Sequence, residues 1–282
     1  MVLESLIKAQ KAEKRPILVF LISMLYSSAA VLLTWWIFNK ESSILLISFI
    51  TFASIPLMHK IILLEEKKDK NLSGELSLLM EHRKALISFT ALFFGILISL
   101  SLWYIFLPSN YVEQIFSVQI KEVKTVENQF SGNVINPNYF FSVFLNNLRV
   151  LFFSFIFSFF FGAGAIFIFA WNASIISTAL GSFVRESISS FSGKAGFGAI
   201  SAYFGGFSYG FFGYMIHGIF EMSSYFVAGL AGGIISVAVI KHDLFNKNFK
   251  KIIVDSFSLI IISFVLLLFG AFVETFVTPL IF

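Results

Sequence analysis

Long apolar stretches separated by short charged segments are the dominant pattern along the chain. A transmembrane helix needs about 20 mostly apolar residues with few or no charges. Three stretches in the N-terminal part meet this requirement: residues 17–38, 43–64 and 85–107. The first ends in Trp35 and Trp36, where aromatic side chains are expected at a membrane interface.

The C-terminal part is harder to divide into spans. No residue between Val150 and Val184 is charged, and this stretch is longer than one span but shorter than two spans with a loop. We predict one helix over residues 148–171, then a polar segment near the inner surface, with a re-entrant segment over residues 172–200 left open. Two closely coupled spans, 196–216 and 219–240, follow, and the last is 252–273. The pattern predicts an all-α polytopic membrane protein with about seven transmembrane helices.

Composition supports a membrane protein. The chain is 57% hydrophobic and only 13% charged, with a mean hydropathy of +0.88, whereas soluble domains carry about 25% charged residues. Lipid must therefore cover much of the surface. The absence of cysteine excludes disulfides, thiolate metal sites and cysteine nucleophiles.

The positions of lysine and arginine predict the orientation. Sixteen of the 20 fall in segments that are cytoplasmic if the N-terminus is inside, as the positive-inside rule requires. We predict a plasma-membrane protein with its C-terminus outside, in contact with lipid and not with nucleic acid. The predicted parts are a cytoplasmic amphipathic segment (1–16), a transmembrane hairpin (17–64), a cytoplasmic loop (65–84), and a five-helix core (85–282) with an outer segment (108–147). Residues 112–126 of that segment are predicted to form an amphipathic helix.

A few polar residues interrupt the predicted spans. An ionisable residue at the centre of a membrane helix costs about 2.5–3.5 kcal/mol, so each one is informative. Arg149, His217, Glu221 and Glu274 all fall toward the predicted outer side. They form either a functional site, such as a proton relay or a pocket for a headgroup or cation, or a structural cluster in which Arg149 pairs with Glu221 or Glu274. Asn172 is a further polar residue that could hydrogen-bond between helices.

Known catalytic motifs do not fit these residues. The zinc protease motif His-Glu-x-x-His supplies two histidines and a glutamate on one helix face, whereas the segment from His217 to Glu221 has no second histidine. A metal held by His217, Glu221 and Glu274 is chemically allowed but would be an unusual set. We therefore predict no metal, no cofactor and no catalytic residue.

Small residues at four-residue spacing predict close helix packing, because they let helix backbones approach each other in lipid. The predicted partners are the two coupled spans, with each other or with the preceding helix through Gly162 and Gly164. The small residues are Gly198, Ala202, Gly206, Gly210, Gly229 and Gly233.

Four short motifs in order resemble the stage II sporulation protein M family over residues 85–282: 146–150 (Asn-Asn-Leu-Arg-Val), 171–173 (Trp-Asn-Ala), 217–221 (His-Gly-Ile-Phe-Glu) and 273–279 (Val-Glu-Thr-Phe-Val-Thr-Pro). The resemblance implies a five-helix membrane core, to which residues 17–64 would be an addition. It adds Asn146 and Asn147 to the candidate site. In spore-forming bacteria the namesake acts in a membrane complex with two peptidoglycan-degrading partners.

Three functions remain open at this point. The first is a non-enzymatic scaffold that organises an envelope complex through protein partners. The second is a transporter or small-solute permease with a polar site at the outer side of the membrane. The third is an intramembrane enzyme, with or without a metal. Association of the chain with further copies of itself is compatible with all three.

Overall fold

The chain folds into helices that are mostly long and apolar. A computed structural model describes residues 9–37, 42–69, 75–130, 137–161, 163–190, 197–241 and 247–281, and within these ranges there are helices and no strand. The helices are α1 (Ala9–Lys14), α2 (Pro16–Ile37), α3 (Ser42–Asp69), α4 (Glu75–Phe106), α5 (Ser109–Ile115), α6 (Ser117–Phe130), α7 (Pro137–Phe161), α8 (Ala165–Ser190), α9 (Phe197–Lys241), α10 (Lys247–Phe272) and α11 (Thr278–Ile281).

Seven of these helices are long and apolar enough to cross a membrane, which confirms the predicted fold class. The first three spans coincide with the predicted ones within a few residues. The helices α3 and α4 continue beyond their spans into the predicted loop 65–84. The spans are Pro16–Ile37, Ser42–Glu66, His82–Phe106, Tyr139–Phe160, Ala165–Ser189, Phe211–Ile240 and Phe249–Leu280.

The predicted helix over residues 148–171 is wrong. Helix α7 ends at Phe161 and α8 begins at Ala165, so the long uncharged stretch holds the end of one span and most of the next. Ala163 and Gly164 form the turn, and their carbonyl groups accept the first backbone hydrogen bonds of α8, from Ile166 and Phe167. A side chain at Gly164 would collide with the backbone of Phe157, so the tight return of the chain requires glycine there.

The predicted division between residues 216 and 219 is also wrong. Helix α9 continues through His217 and Gly218 to Lys241, so the two predicted spans, 196–216 and 219–240, are one helix. A side chain at Gly218 would contact only Met215, at 3.8 Å, and nothing forces a bend. In lipid an uninterrupted helix satisfies its own backbone hydrogen bonds. The count stays at seven because α8 is a span that the prediction lacked.

Helix α9 is the centre of the bundle. It packs against α7, α8 and α10, and also contacts α3 and α4. The closest approaches use glycine: a Cβ atom added at Gly229 would lie 2.7 Å from Cβ of Ala165 on α8, and one at Gly232 would lie 2.5 Å from the Phe155 carbonyl oxygen on α7. Gly233 is buried as well. The two coupled spans are one helix and so cannot pack against each other; Gly229 and Gly232 instead pack α9 against α8 and α7. Gly198, Ala202, Gly206 and Gly210 lie in α9, but their contacts are outside the described side chains.

The N-terminal hairpin of α2 and α3 is joined to this bundle through α4 and through direct contacts of α3 with α8 and α9. Gly95 of α4 lies against Phe20 and Ser23 of α2. Further along the same interface, the Oγ atoms of Ser28 and Ser99 are 3.1 Å apart. Helix α4 in turn packs against α8, so the hairpin and the remaining helices form one continuous set of contacts.

Candidate polar site within the membrane domain

His217 and Glu221 share one face of α9, one helical turn apart. Because the helix is continuous here, residues four apart are neighbours on its surface. The Glu221 side chain is only 8% exposed, although it lies inside a span predicted to be surrounded by lipid. A carboxylate in this position needs partners within the protein.

Glu274 reaches the same place from the end of α10. Residues Val273–Val277 form a π-helical turn in which the backbone N–H of Thr278 bonds to the carbonyl oxygen of Val273. Such widened turns are rare, and they occur frequently at functional sites. The Thr278 hydroxyl also donates to the Val273 carbonyl oxygen, at 3.2 Å, and lies 3.3 Å from Nδ1 of His217.

The three ionisable side chains converge. One ring nitrogen of His217 and one carboxylate oxygen each of Glu221 and Glu274 lie within 4.8 Å of one another. We call these three residues the His–Glu cluster. The sequence gives no indication that Glu274 lies close to the other two. This proximity arises because α10 runs back along α9 and places Gly270 beside Glu221, where a Cβ atom would be 3.0 Å from Cγ of Glu221.

Polar side chains of α7 and α9 surround the cluster. Asn147 Nδ2 donates to Glu221 Oε1 at 2.5 Å, and its Oδ1 accepts from the Tyr225 hydroxyl at 3.1 Å. The Tyr139 hydroxyl donates to Glu274 Oε1 at 3.4 Å. Asn147 thus links α7 to two residues of α9 and uses both ends of its amide.

Two serines continue this polar interface along the same pair of helices. Ser154 Oγ donates to the Tyr225 carbonyl oxygen at 3.1 Å, and Ser158 Oγ donates to the Gly229 carbonyl oxygen at 2.5 Å. Both serines are fully buried. Hydroxyl-to-carbonyl bonds between membrane helices add to the close packing and hold α7 in register with α9, which keeps Asn147 opposite Glu221.

The predicted ion pair of Arg149 with Glu221 or Glu274 is wrong. Arg149 is exposed on α7, and in the part of the chain that the structure describes its guanidinium forms no ion pair. Asn147 occupies the place at Glu221 that Arg149 was expected to fill. Residues two apart on a helix do not face the same side, so only one of the two can point at α9.

The two other predicted asparagines do not join the cluster. Asn146 is exposed on α7. Asn172 donates to the Ile168 carbonyl oxygen of its own helix α8, at 2.8 Å, and so serves local structure there. The site therefore keeps His217, Glu221, Glu274 and Asn147 of the predicted residues.

Sequence reasoning missed Tyr139, Tyr225 and Thr278. Two of them carry a signal in hindsight, because Tyr225 is four residues after Glu221 and Thr278 is four residues after Glu274, which places each pair on one helix face. Tyr139 has no such signal. It precedes Asn147 by two helical turns and reaches Glu274 only because α7 packs beside the C-terminal helices.

The fold and the site define a polytopic α-helical membrane protein with an ionisable cluster inside its helix bundle. The family model described as Stage II sporulation protein M matches residues 17–279, and the chain belongs to this family. The match begins at the start of α2 and so includes the N-terminal hairpin, which the resemblance over residues 85–282 had left out. No curated protein and no solved structure matches the chain.

The hydrogen bonds of Asn147 make a testable contribution to stability. Replacing Asn147 by leucine keeps the size of the side chain but leaves Glu221 and the Tyr225 hydroxyl without this partner. An unsatisfied buried polar group costs about 1–3 kcal/mol, and more when it is charged. We expect Asn147→Leu to lower the free energy of unfolding by about 1–3 kcal/mol or more, measured by thermal or denaturant unfolding in detergent.

The matched control is Arg149→Leu on the same helix. Because Arg149 is exposed, we expect its replacement to change stability by no more than about 0.5 kcal/mol. Equal losses in the two variants, or a larger loss at Arg149, would contradict the assignment of Asn147 as the partner of Glu221.

Proposed function

We propose that the protein is a non-enzymatic membrane scaffold that organises an envelope complex through its outer segment. The observation that carries this proposal is the firm attachment of α5 and α6 to the membrane helices. Membership of a family whose description refers to stage II sporulation supports a role at the cell envelope. A segment held in one orientation can present a constant surface to partner proteins without paying an ordering cost on binding.

Arg185 near the end of α8 fixes the start of this segment. Its guanidinium donates to the Tyr104 carbonyl oxygen at 3.0 Å, to the Ser109 hydroxyl at 3.2 Å and to the Leu107 carbonyl oxygen. These acceptors include two carbonyl groups at the C-terminal end of α4, where no following turn of the helix supplies backbone N–H donors. A planar guanidinium can satisfy several such acceptors at once.

Apolar and polar side chains then attach the two helices themselves. Val112, Ile115 and Phe116 are buried. Gln119 of α6 donates to Ser174 of α8 at 3.4 Å, and Ser117 lies 2.8 Å from Ser43 of α3, between hydroxyl oxygens. The opposite face of α6 is polar and exposed: Lys121, Glu122, Lys124 and Thr125. We call these four residues the outer platform.

The distribution of positive charge supports a platform on the outer side. With the seven spans of the structure and a cytoplasmic N-terminus, fourteen of the 20 lysine and arginine residues fall in or beside cytoplasmic segments. Arg185 and Lys194 change from the cytoplasmic to the outer group relative to the prediction from sequence, and Lys194 lies outside the described residues. The excess of lysine and arginine in the cytoplasmic segments still favours an N-terminus inside and a C-terminus outside, with the plasma membrane as the location.

Cysteine labelling tests this orientation, since the chain has no cysteine of its own. Thr125→Cys on the outer platform and Lys84→Cys near the start of the third span both place a thiol at an exposed position. We expect a membrane-impermeant maleimide to label Thr125→Cys in intact cells and Lys84→Cys only after permeabilisation. The reverse pattern would invert the topology and place the platform in the cytoplasm.

Crosslinking in native membranes tests the scaffold. We expect the wild-type protein to capture a reproducible set of proteins, and the double variant Lys121→Glu, Lys124→Glu to capture at least about tenfold less. Tenfold corresponds to 1.4 kcal/mol, and placing like charges together at an interface costs several kcal/mol. Quantitative mass spectrometry of the captured proteins gives the ratio.

The control for charge reversal as such is Lys250→Glu, because Lys250 is exposed at the start of α10, on the opposite side of the membrane in the proposed topology. It should capture the same proteins as the wild type. A wild-type protein that captures no partner, or a double variant that captures the wild-type set, would rule out a docking role for the platform.

A second candidate is a transporter or small-solute permease, which the His–Glu cluster favours. Ionisable residues inside a membrane bundle mark ion and solute pathways in many membrane proteins. If the cluster lines such a pathway, liposomes containing the protein should take up protons, ions or small polar solutes faster than empty liposomes. Glu221→Gln should abolish the excess uptake, whereas Arg149→Gln should retain it. Uptake equal to that of empty liposomes would exclude this candidate.

A further inference from the structure

We propose that the His–Glu cluster binds one divalent transition-metal ion of the Zn²⁺, Fe²⁺ or Mn²⁺ class, with His217, Glu221 and Glu274 as its protein ligands. This inference is independent of the proposed scaffold function. It depends on the geometry of the cluster, on the balance of charge within the membrane, on the hydrogen bonding of His217 and on the residues that hold the two glutamates.

The cluster has nearly the size that one metal ion requires. Zinc binds histidine nitrogen and carboxylate oxygen at about 2.0–2.2 Å with tetrahedral angles, so two ligand atoms of one ion lie about 3.3–3.6 Å apart. The three candidate ligand atoms lie within 4.8 Å of one another. An inward movement of about 1 Å, within the reach of glutamate side chains that rotate about several bonds, brings them to the distances of a metal site.

A divalent cation also balances the charge. Two carboxylates side by side in a membrane bundle repel each other and lack the hydration that water would provide. Glu221 and Glu274 contact each other, Asn147 and Tyr139, and Asn147 and Tyr139 supply hydrogen bonds but no positive charge. Arg149, two residues after Asn147, is exposed and forms no ion pair within the described residues. One divalent ion neutralises both carboxylates.

The hydrogen bonds of His217 leave one ring nitrogen free for a metal. The Thr278 hydroxyl lies 3.2 Å from the Val273 carbonyl oxygen and 3.3 Å from Nδ1 of His217. When it donates to the carbonyl oxygen, it accepts from Nδ1, and in this tautomer the lone pair of the ring is on Nε2. Metal-binding histidines have this arrangement: one nitrogen faces the metal while the other donates to an oxygen that fixes the ring.

Each carboxylate is oriented by a second residue in the same way. Asn147 donates to Glu221 and is itself held by Tyr225, while Tyr139 donates to Glu274. Residues of this kind are a regular part of metal sites, where they fix the ligands and tune the metal. Glu221, the central ligand, is buried, so the metal would be held inside the bundle and not at its surface.

The ligand types define the class of metal. Imidazole suits zinc, iron, copper and nickel, whereas carboxylates suit magnesium, calcium and manganese. Thiolates, which favour copper(I), are absent because the chain has no cysteine. One imidazole with two carboxylates therefore favours Zn²⁺, Fe²⁺ or Mn²⁺. Three protein ligands leave at least one position for water or a substrate.

Metal content measures binding directly. The full-length protein, carrying a tag without histidine, is purified in detergent, stripped with a chelator, incubated with Zn²⁺ or Mn²⁺ and desalted. We expect one equivalent of metal per chain by elemental analysis, and at least about tenfold less in His217→Gln and Glu274→Gln. Arg149→Gln is the control and should bind as the wild type does. A wild-type protein without stoichiometric metal, or either cluster variant with wild-type content, would falsify the proposal.

A variant outside the ligand set covers the case in which a ligand variant does not fold. Thr278→Val removes only the oxygen that accepts from His217, and loss of such a partner typically weakens metal affinity about 10–100-fold. Titration of the stripped protein, followed by the rise in its unfolding temperature with metal, measures this shift. An unchanged affinity in Thr278→Val means that His217 is not a ligand and overturns the proposed site.

Discussion

The hydrocarbon interior of a membrane supplies no hydrogen-bond partners, so polar groups inside it must find them within the protein. Most buried hydroxyl groups here bond to carbonyl groups of the preceding turn of their own helix, as Ser27 does to Ser23 and Thr51 to Ile47. Such bonds satisfy the hydroxyl without linking helices. At the interface between α7 and α9, Ser154 and Ser158 instead donate across to α9, as Ser99 of α4 does to the Met24 carbonyl oxygen of α2.

The small residues of α9 make this interface possible. Gly229 and Gly232 leave no room for a side chain, so α7 and α8 approach the backbone of α9 closely enough for Ser158 to reach a carbonyl oxygen. The same close approach fixes the position of Asn147, which lies on α7 about three turns before Ser158. Glycine packing and the polar cluster are therefore two consequences of one helix contact.

Hydropathy predicted how many spans the chain has, but it misplaced the span boundaries between residues 148 and 240. Gly162, Gly164 and Gly218 are equally poor helix formers, yet α7 and α8 separate at residues 163–164 while α9 continues through Gly218. The difference comes from tertiary contacts: the turn at Gly164 lies against the backbone of Phe157, whereas a side chain at Gly218 would meet only Met215, at 3.8 Å. A hydropathy window measures composition and carries no information about such contacts.

The ionisable residues of the candidate site were predictable from the sequence, whereas their partner on α7 was not. Rare ionisable residues in apolar stretches identified His217, Glu221 and Glu274, because their cost in lipid makes them conspicuous. Which residue of α7 faces them depends on the rotation of that helix. Charge alone favoured Arg149, while the rotation of α7 turns Asn147 toward Glu221 and leaves Arg149 exposed.

The chemistry of the cluster argues against a purely structural role. Elsewhere along the same interface, Ser154 and Ser158 hold α7 and α9 together with neutral groups, which cost far less to bury than charges do. A buried charge is weak evidence for stability, since apolar residues of similar volume often serve as well or better. Two glutamates and a histidine therefore add a large desolvation cost without adding a contact that serine or asparagine could not provide. That cost is understandable if the cluster holds a ligand whose positive charge balances the carboxylates.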